Sequence, residues 1–116
     1  MSEIDKQLKK GVIEILILKL LSLDNMYGYQ LIQELDTRSQ GIFKMKEGTL
    51  YPILYRLEDN SLIESYWEQD SQKRGVPRKY YKITEAGLIE FQNMKNDLMK
   101  MFTSINSIMQ EGNYNE

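Results

Sequence analysis

Thr49, Tyr51, Pro52, Tyr55 and Arg56 fall within eight consecutive residues and offer contact chemistry rather than bond-making chemistry. A hydroxyl and two phenols can donate to phosphate oxygens or base edges. The Arg56 guanidinium can neutralise a phosphate or read a guanine, and the Pro52 ring can meet a thymine methyl. Lys44 and Lys46 lie just before this group, and Lys73 and Arg74 mark a second basic point further on. At that second point a flanking phosphate or the minor groove would be within reach. Ordinary packing competes with each of these readings. Tyr51 and Tyr55 could rest on neighbouring helices, and Lys73 and Arg74 could be a solvated turn, with Lys79 and Lys82 only flanking strands.

A short helix must carry the first group. Leu50, Ile53, Leu54 and Leu57 recur at helical spacing on one side, with Gly48, Pro52, Tyr55 and Arg56 opposite. The helix can start with Thr49 as N-cap and Pro52 in its first turn, where the missing amide is idle. It can also start near Glu47 with a distorted first turn, and both remain open. Upstream, a nearly all-round apolar helix from about Leu8 to Leu23 should be buried on most faces. A second helix runs from about Tyr27 to Arg38, with Gly28, Leu31, Ile32 and Leu35 inward and Gly41 suited to a left-handed C-terminal cap. Downstream, Ile63 to Glu68 and Arg78 to Ile83 are strand-like, and the loop between them carries Lys73 and Arg74 near its tip.

Thr84 reads as the N-cap of a final helix with Glu85 in its first turn. Along this helix Phe91, Met94, Leu98, Met101, Ile105 and Ile108 are spaced 3, 4, 3, 4, 3, an a/d seam that Leu88, Phe102 and Met109 widen. A helix of about 39 Å carries more apolar stripe than a three-helix head can cover. A second copy of the chain is the expected partner, through Phe91, Met94, Leu98, Met101, Phe102, Ile105 and Ile108. Met94, Leu98 and Met101 could also line an adaptable ligand cavity in that seam. The fold class is therefore mainly α with a two-stranded β wing. The expected organisation is a winged helix-turn-helix at 1–84, a dimerisation helix at 85–110 and a disordered tail at 111–116.

The chain has 116 residues, 41% apolar and 28% charged, with neither cysteine nor histidine. Thiolate and imidazole chemistry, disulfides and zinc-finger ligand sets are thereby removed, and no metal, cofactor or catalytic residue is expected. The reading is not an enzyme. No segment has the length and apolarity of a membrane span, and the lack of cysteine suits a reducing cytoplasm. The net charge of −2 disfavours a polyanion partner, but distribution outweighs the sum. Ser71 to Lys82 holds five bases and no acid.

With those residues in place, the chain resembles the PadR family of bacterial transcriptional regulators, in its short form with one C-terminal helix. The likeness rests on Tyr27-Gly28-Tyr29-Gln30-Leu31, Gly48-Thr49-Leu50-Tyr51-Pro52, Arg56-Leu57-Glu58, Leu62-Ile63, Trp67, Arg78-Lys79-Tyr80-Tyr81, Ile83-Thr84 and Gly87. It spans roughly Gly11 to Met109. The resemblance implies a homodimeric winged-helix repressor whose third helix enters the major groove of double-stranded DNA and whose last helices form the dimer. It also implies that small aromatic or drug-like effectors can release such proteins from DNA. Multidrug-sensing relatives place a tryptophan on the last helix, where this chain has Leu98; its only tryptophan is Trp67, in the wing strand. Two other readings stand beside this one. A winged-helix module could bind protein and no DNA, which the net acidity favours, and the methionine-rich seam could carry a small ligand. The steepness of duplex binding against salt separates the first from the DNA reading.

Overall fold

The computed structural model describes residue 9, residues 11–68 and residues 75–110. Among the described residues the elements follow in the order α1 (Ile13–Leu23), β1 (Met26–Tyr27), α2 (Gly28–Arg38), α3 (Glu47–Asp59), β2 (Ile63–Glu68), β3 (Arg78–Ile83) and α4 (Glu85–Met109). Ile17 and Leu18 of α1, Leu31 of α2, and Leu50, Leu54 and Leu57 of α3 are fully excluded from solvent. These residues bring the three helices onto one core, closed from the sheet side by Ile63 and Tyr81 and from α4 by Phe91. At about 25 cal/mol per Å² of apolar surface, each such side chain contributes roughly 1.5–3 kcal/mol. Among the described residues no helix is long and apolar enough to cross a membrane.

The sheet is antiparallel in the order β1-β3-β2, with Ile63 opposite Ile83 and Trp67 opposite Lys79. Strands β2 and β3 form the two-stranded wing expected above, and the short β1 adds a third strand to its sheet. Met26 and Tyr27 pair with Tyr81 and Tyr80, so the residue expected to open the second helix belongs to a strand and α2 starts at Gly28. The Tyr27 amide donates to the Gln30 side chain at 3.2 Å, which satisfies one of the donors a helix start leaves idle. Helix α1 likewise starts later than Leu8, at Ile13, after a turn in which the Val12 amide donates to the Lys9 carbonyl at 3.0 Å.

Both α2 and α3 end in the same six-residue closure. After α2 the Gly41 amide donates to the Asp36 carbonyl and Gln40 to Thr37; after α3, Leu62 donates to Leu57 and Ser61 to Glu58. After α2 both Gln40 at φ 55° and Gly41 at φ 87° have positive φ, and after α3 Ser61 does at φ 62°. Gly41 thus takes the positive φ expected of it and shares the closure with a preceding side chain that tolerates the left-handed region less well. The Ser61 turn brings the chain back toward the start of α4. There the Thr84 side chain accepts from the Gly87 amide at 2.9 Å and donates to the Ser61 carbonyl at 2.7 Å.

Candidate nucleic-acid interface

Helix α3 starts at Glu47 with Lys46 as its N-cap, and Pro52 sits inside it. Of the two starts the sequence leaves open, this is the earlier one. Pro52 cannot donate to the Gly48 carbonyl, and Gly48 has no neighbour within 4 Å of where a Cβ would stand. The solvent side of this turn therefore presents bare backbone and a proline ring. Thr49, Pro52, Tyr55 and Arg56 are all exposed, as are Lys44 and Lys46. Leu50, Leu54 and Leu57 lie on the opposite face, entirely buried. Thr49, Pro52 and Arg56 thus form one column along the helix, three and four residues apart.

Tyr51 is the member that turns inward. It is half-buried, its ring centroid is 6.1 Å from that of Tyr55, and a Cβ on Gly28 would run into its hydroxyl, with its Cζ at 2.8 Å. Gly28 is what lets the start of α2 meet this ring. Burial, then the charge of Glu47 and the neighbouring Tyr55, push the Tyr51 phenol above its ordinary range. It stays protonated at neutral pH as a hydrogen-bond donor.

Two of the expected basic contacts are already engaged. Lys44 Nζ lies 3.3 Å from an Asp36 oxygen. Arg56 donates from Nε to Glu14 Oε2 at 2.9 Å, and its Nη2 donates to the same oxygen. Lys73 and Arg74 lie outside the described residues. Lys79 sits near the groove instead, its ammonium 6.0 Å from the Tyr55 ring centroid and 5.8 Å from that of Tyr81. Lys82 is exposed across from Glu64, and Arg78 stacks 4.7 Å from the Tyr27 ring centroid. Between α3 and the wing runs a concavity of about 690 Å³, with Tyr51 and Tyr55 contributed by the helix and Trp67, Pro77 and Lys79 by the wing. Sequence reasoning missed Glu14, which interrupts an apolar run 42 residues from its partner and has no local signature. Trp67 facing this groove was readable only as a strand residue.

At the back of the groove, Tyr81 is fully buried and its hydroxyl has no hydrogen-bond partner among the described residues. Burial first, then Tyr51, Tyr55 and Glu58, push its phenol up to about 12.

The stripe on α4 divides along its length. Phe91 is buried in the chain's own core, and Met94 and Leu98 pack half-buried against it. Met101, Phe102, Ile105 and Ile108 are 54%, 48%, 44% and 75% exposed, a contiguous apolar run of the kind that marks an interaction surface. Of the three residues considered for a ligand cavity, then, only Met101 stands clear of the core.

The sequence pattern of the transcriptional regulator PadR-like family matches residues 17–93. An uncharacterised protein of Lysinibacillus sphaericus is 40% identical over 78 residues, which are 67% of this chain and 70% of that protein. A crystal structure of a PadR-like transcriptional regulator from Bacillus cereus superposes with a TM-score of 0.78 at 35% identity, over 91% of this chain and 99% of that one. The structure of a transcriptional regulator from Clostridium thermocellum gives a TM-score of 0.82 at 26% identity, over 95% and 99%.

Proposed function

This chain belongs to the PadR-like family of transcriptional regulators, and from that premise we propose that it is a repressor binding an inverted-repeat operator as a homodimer. Each copy sets the exposed column of α3 into a major groove, and the two α4 helices pair through Met101, Phe102, Ile105 and Ile108. The observation that carries the reading is the division of α3. Its Leu50, Leu54 and Leu57 side is sealed, while Thr49, Pro52, Tyr55 and Arg56 face outward beside an unshielded Gly48. A surface of that make-up is poor solvating material and good material for fitting a groove. Lys46 and Lys79, with Lys73 and Arg74 of the wing loop, supply the phosphate contacts. The boundaries of the head at residue 84 and of the dimerisation helix at 85–110 form part of the same proposal. Release by a small aromatic ligand would need a cavity between paired α4 helices that Met101 helps to line, because Met94 and Leu98 serve the core of their own chain.

The test is equilibrium binding to duplex DNA across a salt series. If two copies neutralise some 6 to 8 phosphates, log K falls against log salt with a slope of about −5 to −7. A slope near zero on every duplex would favour a winged-helix module that binds protein instead.

A further inference from the structure

Glu14 is a lone carboxylate on a helix whose other described residues are almost all apolar, and it is spent on one contact. It spans from α1 to the outward face of α3. The Arg56 side chain is 54% exposed and that of Glu14 27%, so the pair stands at the edge of the candidate interface rather than within the core. Of the five N–H donors of a guanidinium, one on Nε and one on Nη2 go to the single oxygen Glu14 Oε2. Three therefore remain, on Nη1 and Nη2, and two of them, one on each nitrogen, form the end-on edge that matches the O6 and N7 acceptors of a guanine. Resting on the reading of α3 as the DNA-contacting helix, we infer that Glu14 is the positioning residue for Arg56. It makes that arginine a guanine reader rather than a phosphate neutraliser.

Two physical effects favour base reading. A carboxylate beside the guanidinium offsets its charge, and charge is what a sequence-independent phosphate contact uses. Directional donors survive the pairing, and fixing the side chain beforehand removes much of the rotamer entropy that a long arginine would lose on binding. Arg56 also shares the column of Thr49 and Pro52, which is proposed to enter the major groove. The opposite possibility is that Glu14 merely occupies Arg56 and must be displaced by DNA. Removing Glu14 then has the opposite effect, so the two are separable.

The experiment starts from the duplex that the full-length chain selects out of a random pool. Binding to it, to each single-base variant and to a random duplex is then measured for the wild type, Glu14→Ala, Glu14→Gln, Arg56→Ala and the double variant Glu14→Ala/Arg56→Ala. Melting temperatures check that each is folded. The expected result is that Arg56→Ala loses roughly tenfold or more of discrimination at one guanine per half-site. Glu14→Ala loses discrimination at that same position while its binding to random duplex is unchanged or tighter. Glu14→Gln, which keeps an acceptor oxygen, retains part of it, and Glu14→Ala adds nothing once Arg56 is absent. The inference is overturned if Glu14→Ala tightens all duplexes alike, leaves every position's discrimination intact, or weakens specific and random duplexes equally. A wild type that selects no duplex and shows no salt dependence brings down the DNA-binding reading itself, a result distinct from any of these. Should Glu14→Ala not fold, Glu14→Gln against Arg56→Ala at the shared position decides the matter.

Discussion

Tyr81 shows how a single group links fold and chemistry. Its ring fills the space between sheet and α3, yet its hydroxyl is buried without a partner among the described residues. Leaving such a group unsatisfied costs about 1–3 kcal/mol. Tyr81→Phe should accordingly be neutral or stabilising at pH 8 in urea denaturation. Unfolded, the phenol ionises near pH 10.0, and folded it holds its proton to about 12. The unfolded chain therefore binds fewer protons between those values, so stability is full below pH 10 and falls as pH rises to 12. The loss is on the order of 2 kcal/mol. Tyr81→Phe should flatten that alkaline fall, and an unchanged slope between pH 10 and 12 would remove Tyr81 as its cause. The role of Arg56 as an outward residue of α3 was readable from helical spacing, but its carboxylate partner was not. Spacing rules reach three or four residues along a helix, whereas Glu14 and Arg56 are joined only by tertiary packing.

At the scale of elements, the join between the head and α4 depends on Gly87. A Cβ there would stand 2.7 Å from Ile83 Cγ1, 3.0 Å from the Leu62 carbonyl carbon and closer still to its oxygen. The obstacle is largely backbone and cannot swing away. Gly87→Ala should cost about 1–3 kcal/mol by overpacking, measured as a lower midpoint in chemical denaturation. Ser61→Gly, which relieves the left-handed φ of 62° in the turn before β2, should stabilise by up to about 1 kcal/mol. The long periodic elements were legible beforehand: α3, β2, β3 and α4 lie where apolar spacing and the Thr84 cap put them. Strand β1 was not, because two residues show no alternation and its pairing is with Tyr80 and Tyr81, far along the chain. Gln40 and Ser61 escaped notice since neither is the residue type that announces a left-handed turn. The seam on α4 was read as one stripe, and periodicity cannot say which turns the chain covers itself. Phe91 faces its own core while Ile105 does not.

For the molecule as a whole, the extents of 69 × 31 × 21 Å and the radius of gyration of 17.3 Å describe an elongated chain, wider than the roughly 13 Å expected of a compact domain this size. The protruding half of α4 carries exposed apolar residues that a second copy would cover. Ile105→Glu, at a position 44% exposed, should give monomers by sedimentation with little change in the melting of the head. It should also weaken operator binding by a factor on the order of 10² or more through lost avidity. Persistence of dimers would place the contact elsewhere. Net charge also acts at this scale: a protein at −2 can still hold a polyanion when its bases are gathered beside α3 and the wing.

The most direct measurement is selection of random duplexes by the full-length protein, followed by sequencing. Two exposed α3 columns held by one pair of α4 helices predict an inverted repeat whose half-sites are about one helical turn, roughly 34 Å, apart. Enrichment of a solitary half-site with no symmetry mate, or of nothing at all, would contradict the account.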